Sequence, residues 1–280
     1  PESREWLERD VSHLDPIILD ALLAEETRPR ILEFEQGVLL ILRGINLNQN
    51  AEPEDMVSIR MWVDQSHIIT LQRRSLTAIT EICEYLKAGR GPKTPGEFIT
   101  MLSARLFERM EPIFSELDDR LDLIEEQVME SPYPEHRSEI TSIRKEAIMY
   151  RRYIAPQRDA IAHLRTSERA WLNQLDKRHL QESLEHVIRY IEDLDTMRER
   201  AQIIKDELTN ALSDKMNKNM YMLSVIAAIF LPLGFLTGLL GINVGGIPGS
   251  DNGNAFYFFC VMLVGIISLQ ILLFKKLNWF

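Results

Sequence analysis

The stretch Met220–Gly241, MYMLSVIAAIFLPLGFLTGLLG, decides the fold, because none of its 22 residues carries a charge. A helix of that length, rising ~1.5 Å per residue, crosses a hydrocarbon core of ~30 Å. A second uncharged run follows from Ala255 to Phe274, AFYFFCVMLVGIISLQILLF. The connecting residues 242–254, INVGGIPGSDNGN, are rich in Gly and Asn, include a Pro, and read as a tight turn. Two helices joined this closely form an antiparallel hairpin, so both chain termini lie on one side. Lys215 and Lys218 precede the first run, Lys275 and Lys276 follow the second, and the connection has no Lys or Arg. The excess of positive charge beside cytoplasmic helix ends places both termini in the cytoplasm. Tyr221, Tyr257 and Trp279 stand near helix ends, as interfacial aromatics do.

The chain has 280 residues and a formal net charge of −10. That balance argues against nucleic acid as a partner and accords with collecting cations, although acidic helices are often merely well solvated. The two cysteines, Cys83 and Cys260, are far apart and read as packing residues, with no disulfide framework and no Cys-rich metal site. The sequence begins at Pro1 without a basic-then-apolar leader, and residues ahead of it are expected to be missing. No nucleophile elbow, P-loop or HExxH motif is present, so no enzymatic activity is expected.

Ahead of the membrane runs, residues 30–73 read as strands. VLLILRGI (38–45) is an apolar run, and MVSIRMWV (56–63) with HIITLQR (67–73) form a hairpin about Asp64-Gln65-Ser66. A helix is expected over Leu76–Leu86, ended by Gly89, Gly91, Pro92, Pro95 and Gly96. One helix is expected from Glu97 to Glu130 and a second from Glu135 to Leu164. A third begins near Ser167 as N-cap and runs unbroken to Gly241, 75 residues or roughly 110 Å. Its positions Leu180, Leu184, Val187, Ile191 and Leu194 make a coiled-coil-like seam. The fold expected is therefore an α+β membrane protein. Residues 1–96 form a cytoplasmic αβ domain and 97–219 a long-helix stalk. Residues 220–241 are the first transmembrane helix, 242–254 a periplasmic loop, 255–274 the second helix and 275–280 a cytoplasmic tail.

One face of the long helix carries Asp206, Asn210, Ser213, Asn217, Met220, Ser224, Ala227, Leu231, Gly234, Gly238 and Gly241. It is polar at one end and mostly small within the membrane, while Phe230, Leu233, Phe235, Leu236 and Leu239 lie on other faces. Such a face is either a close helix contact or a pore wall. Two helices cannot enclose a water-filled path alone, so conduction needs several copies about one axis. The competing reading is a membrane anchor or coiled-coil scaffold that transports nothing.

The segment IFLPLGFLTGLLGIN, residues 229–243, resembles the end of the first membrane helix of the CorA-type metal-ion transporters. In that family a Gly-x-Asn signature follows the helix, here Gly241-Ile242-Asn243. The basic tail with a near-terminal Trp, here Lys275, Lys276 and Trp279, matches as well. The magnesium branch usually reads Gly-Met-Asn with an acidic Met-Pro-Glu-Leu stretch after it; here the loop holds Asp251 alone. That loop, Thr27-Arg28-Pro29-Arg30, and Arg151-Arg152-Tyr153-Ile154-Ala155-Pro156-Gln157-Arg158-Asp159 are similar to the zinc-transporting ZntB branch. The resemblance implies a homopentameric funnel in the bacterial inner membrane. It implies zinc as the transported ion, with no bound cofactor, and leaves open other divalent cations and coupling to protons. It also implies a selectivity ring of Asn243 with Gly241 and Ile242. Leu231, Met220 and Asn217 would face the pore and Asp206 would lie lower in the funnel. Gly234 stands where the magnesium branch commonly has a pore Thr.

His163, His179 and His186 fall on predicted cytoplasmic helices. Zinc sites gather three or four ligands at ~2 Å, and His179 and His186 are ~10 Å apart along a helix. Glu182 with His186, at i and i+4, is a better pair. Asp206 completes the candidate metal set. Tyr150-Arg151-Arg152-Tyr153 reads as a salt-bridging segment sooner than as a basic patch.

Overall fold

The computed structural model describes residues 14–24, 27–242 and 251–276, with residues 6, 9, 247 and 249 besides. The described elements are α1 (Pro16–Leu23), β1 (Arg30–Glu33), β2 (Gly37–Gly44), β3 (Val57–Asp64), β4 (Ile68–Gln72) and α2 (Thr77–Lys87). They continue with α3 (Pro95–Glu108), α4 (Glu111–Glu130), α5 (His136–Thr166), α6 (Gln174–Gly241) and α7 (Ala255–Lys276). The chain divides into two units, Pro1–Leu208 and Thr209–Phe280.

In the first unit the four strands form one antiparallel sheet in the order β1-β2-β3-β4. Pairing of Ile41 with Arg60, Leu39 with Trp62, and Trp62 with Ile69 sets its register. Successive residues of a strand point to opposite faces. On one face Leu39 and Trp62 pack with Leu14, Ile18, Ala21 and Leu22 around α1. The other face meets α3 where Gly44 approaches Leu106 and Leu76 so closely that a Cβ there would overlap both. Asp64 organises the β3–β4 turn. Its Oδ1 accepts from the Ser66 and His67 amides, both at 2.7 Å. Partial burial would raise the Asp64 carboxyl, but the bonds from Ser66, His67 and Trp62 outweigh it and hold the group below its usual range.

Two differences from the sequence expectations have local causes. The helix expected over Glu97–Glu130 is two, α3 and α4. Pro112, in the first turn of α4, has no amide to continue the ladder. The long helix begins at Gln174 instead of Ser167, which ends α5. Its start is capped reciprocally: Asn173 Oδ1 accepts from the Leu175 and Asp176 amides at 2.8 and 2.9 Å, and Asp176 Oδ2 accepts from the Asn173 amide at 3.0 Å. Cys83 is exposed on α2 and is not a packing residue. The sequence reading also assigned no element to Pro16–Leu23, although Asp15-Pro16 is a cap followed by a proline at the first helical position.

From Gln174 to Leu208, α6 packs as its seam requires. Leu180, Leu184, Val187, Ile191 and Leu194 are all buried, and burial continues through Met197, Ala201, Ile204 and Leu208. The Phe114 ring meets Tyr150 of α5 and Tyr190 of α6 edge-on, with centroids 5.1 and 5.2 Å apart. Arg200 of α6 pairs with Asp118, Asp122 and Glu125 of α4, and Arg151 of α5 pairs with Asp195 of α6.

Two expected outcomes test this packing. A Cβ at Gly96 would lie 2.2 Å from Asp176 Oδ2 and 2.8 Å from the Trp171 carbonyl oxygen. Gly96→Ala should therefore cost about 1–3 kcal/mol, read as a lower thermal midpoint of the full-length protein in detergent. Because the Asp64 pKa is lower folded than unfolded, its stabilisation is full above the unfolded value of about 3.9 and is lost as pH falls through the folded value. Asp64→Asn should flatten the acid limb of stability against pH, and an unchanged limb would assign acid sensitivity elsewhere.

Candidate conduction path

Beyond Leu208 the seam stops. Among the described residues of the second unit only Val225 and Phe274 are buried. Both α6 and α7 contain a stretch long and apolar enough to cross a membrane, and almost none of either stretch is covered by the chain itself. Soluble helices of this composition would be buried in a core; here water is replaced as solvent by lipid or by other chains.

The tie between the two helices follows from a proline. Pro232 lies inside α6. It has no amide to donate to the carbonyl four residues back, at Ala228. An unsatisfied carbonyl in hydrocarbon costs several kcal/mol. Gln270 of α7 answers it: its Nε2 donates to the Ala228 oxygen at 3.2 Å. Sequence reasoning missed Gln270, although a lone amide in an uncharged run, opposite a helix proline, was a legible signal.

Ala228 belongs to the less exposed side of α6. The less exposed positions of its membrane stretch are Val225, Ala228, Ile229, Leu233 and Leu236, spaced by three or four on one side. At about 100° per residue, the small-residue stripe lies roughly opposite. Asn210, Ser213, Asn217, Met220, Ser224, Ala227, Leu231, Gly234, Gly238 and Gly241 are all exposed. Phe230 and Phe235, both strongly exposed, flank the stripe. A Cβ at Gly234, Gly238 or Gly241 would meet nothing within 4 Å. Packing inside the chain therefore does not require these glycines. Ser224 donates its hydroxyl proton back to the Met220 carbonyl oxygen at 2.9 Å. Gly241 ends α6 and Ile242 follows it; Asn243 lies outside the described residues.

The candidate metal residues do not assemble into one site. His179, Glu182 and His186 line a groove of about 540 Å³ with Glu97, Glu108 and Glu111. Yet no group of three His, Cys, Asp or Glu side chains among the described residues is placed to hold an ion. His186 Nδ1 faces an Arg189 nitrogen at 3.3 Å, and its ring lies against Tyr190. His163 is elsewhere, with Nε2 3.9 Å from Glu33 Oε1. Asp206 is exposed and accepts from Gln202 Nε2 at 2.9 Å. Within one chain Asp206, His163 and the group His179, Glu182 and His186 therefore lie in three separate places, as the ~10 Å between His179 and His186 along one helix and the placing of His163 on α5 require.

The fold is that of a membrane protein in which the long helix of an αβ unit runs on into the first of two helices long and apolar enough to cross a membrane. Residues 1–276 match the family described as CorA-like Mg2+ transporter protein, and the chain belongs to that family of divalent-cation transporters. It is 39% identical over 282 aligned positions to the divalent cation transporter CmaX of Pseudomonas aeruginosa, covering all of this chain and 84% of that protein. It is 36% identical over 279 positions to the zinc transport protein ZntB of Pectobacterium atrosepticum, covering all of this chain and 85% of that one. The full-length CmaX structure superposes with a TM-score of 0.85 at 38% identity, over all of this chain and 86% of that chain.

The Pro232–Gln270 relation predicts a specific coupling. Gln270→Leu should destabilise the hairpin by about 0.6–1.7 kcal/mol, the range for hydrogen bonds between membrane helices. In a Pro232→Ala background residue 232 can donate to Ala228 itself, so Gln270→Leu should cost measurably less. Unfolding of the four proteins of this cycle in detergent reads the difference; equal costs in both backgrounds would refute the assignment.

Proposed function

We propose that this chain carries zinc across the bacterial inner membrane as a homopentamer, with the stripe of α6 lining a central path. The observation that carries this reading is the stripe's position: exposed, small, uncharged within the membrane, and on the side of α6 away from α7. Five such faces about an axis make a wall of backbone and hydroxyl oxygens with room for an ion and its waters. Divalent cations lose water reluctantly, so a wall without carboxylates favours passage of a hydrated or partly hydrated ion. Leu231 and Met220 are its bulky points and are the natural constrictions. Asn243, after Gly241 and Ile242, would place five amide oxygens at the outer mouth. Neutral oxygens bind weakly enough to release the ion again. The lysines flanking the hairpin support cytoplasmic termini.

Zinc as the cargo is supported by the loop after Gly241 and by the zinc transport proteins among the relatives. A magnesium, cobalt or nickel channel is the second reading, favoured by the family's own description and by the broader cation range in the name of CmaX. Coupling to protons belongs to the first reading.

Flux into sealed liposomes separates them. Purified protein should have the mass of a pentamer in detergent and should admit zinc to a trapped dye, faster with an inward proton gradient. Magnesium entry without zinc entry would establish the second reading. Asn243→Leu should abolish flux while the pentamer still assembles. Near wild-type flux through assembled Asn243→Leu protein would reduce Asn243 to a helix-end residue, where Gly and Asn are common.

A further inference from the structure

The first unit holds a second large cavity, about 520 Å³, within the ~300–1,000 Å³ typical of small-molecule sites. Its floor is the part of the sheet face that α1 leaves uncovered. On that face Leu39, Trp62 and Ile69 lie under α1. The same alternation, carried along the strands, brings up Arg43, Ser58 and Arg60, with Arg73 one step past β4. The change from apolar to cationic falls where α1 ends, and there an Arg60 Nη1 donates to the Leu22 carbonyl oxygen at 3.4 Å. Six arginines line the cavity: Arg28, Arg43, Arg60, Arg73, Arg74 and Arg152. Asp55, the carboxylate among the described lining residues, is paired with Arg74. Such a concentration of guanidinium groups stands out in a chain of net charge −10.

Three features show a built site. Arg60 is only 3% exposed. Burial first, then the charges of Arg73 and Arg43, push its guanidinium below the ordinary value, a condition that an incoming anion relieves. Arg43 is held rigid. Its Nε and Nη2 donate to the Thr27 carbonyl oxygen at 3.1 and 2.8 Å, its Nη1 donates to that of Met56 at 2.6 Å, and it lies over the Tyr153 ring at 4.1 Å. A side chain already ordered loses little freedom on binding. Thr27 lines the cavity at 6% exposure, and its Oγ1 has no hydrogen-bond partner among the described residues. A buried hydroxyl without a partner is costly, and a ligand oxygen would satisfy it.

We propose that this cavity binds a small anion bearing two or more phosphate charges. Arg60 and Thr27 would contact it at the buried floor, with the exposed Arg28, Arg73 and Arg152 around it. Planar guanidinium forks match phosphate oxygens two at a time, which a lysine cluster would not do. The phosphate can belong to a soluble polyphosphate or to a lipid headgroup. The proposal does not depend on the conduction reading, since none of these residues lies on the stripe.

The test is calorimetric titration of the full-length protein in detergent, in zinc-free buffer, with pyrophosphate, with ATP and, separately, with short-chain phosphatidic acid. The expected result is saturable binding of pyrophosphate or ATP at one per chain. Thr27→Val should weaken it several-fold, and the surface pair Arg28→Gln with Arg73→Gln at least tenfold. Arg60→Met should abolish it, and the surface pair decides the matter if that variant fails to fold. Binding of phosphatidic acid alone, with the same sensitivity to the variants, keeps the site and assigns its source to the membrane. Failure of every anion to titrate, non-saturating uptake, or binding unchanged in the Thr27 and Arg28/Arg73 variants would overturn the proposal.

Discussion

A backbone carbonyl inside hydrocarbon must find a donor, and that demand shapes the membrane end of this protein. It keeps α6 helical to Gly241 despite Pro232. It also explains why an otherwise apolar α7 carries an amide at Gln270, bonded to Ala228. That bond lies on the less exposed side of α6, which carries Ala228, and the exposed glycine and serine face lies roughly on the opposite side of the same helix.

The same helix changes solvent along its length. Up to Leu208 its apolar seam is buried against α4 and α5 and reinforced by Arg200 and Asp195 ion pairs. After Leu208 it has almost no covering in the chain. The apolar faces of both membrane helices are left bare by the chain itself, and this supports the oligomer in the proposed function.

The first unit adds a second kind of chemistry. Its sheet presents one face that is hydrophobic where α1 covers it and cationic where α1 ends, so a short helix decides which part of the sheet meets solvent. The basic segment at Arg151 and Arg152 divides accordingly. Arg151 is spent on Asp195 within the chain, and Arg152 faces the cavity. The preference for salt bridging over a basic patch in Tyr150–Tyr153 thus holds for Arg151 and not for Arg152.

Much of the architecture was legible from composition and periodicity. Two uncharged runs named the membrane helices, the 4-and-3 spacing from Leu180 to Leu194 named a buried seam, and the hairpin about Asp64 followed from strand pattern and turn residues. Gly-Ile-Asn after the first run pointed to the family. Boundaries were less legible: Ser167 and Asn173 are both acceptable caps, and only the reciprocal bonds of Asn173 with Asp176 select the latter. Convergence was not legible at all. Whether His163 meets His179, whether Gln270 reaches Ala228, and whether Arg43, Arg60 and Arg73 share one face depend on how distant segments approach. Local sequence sets periodicity and caps, which are short-range properties of the backbone. The meeting of residues far apart along the chain is decided by packing in three dimensions.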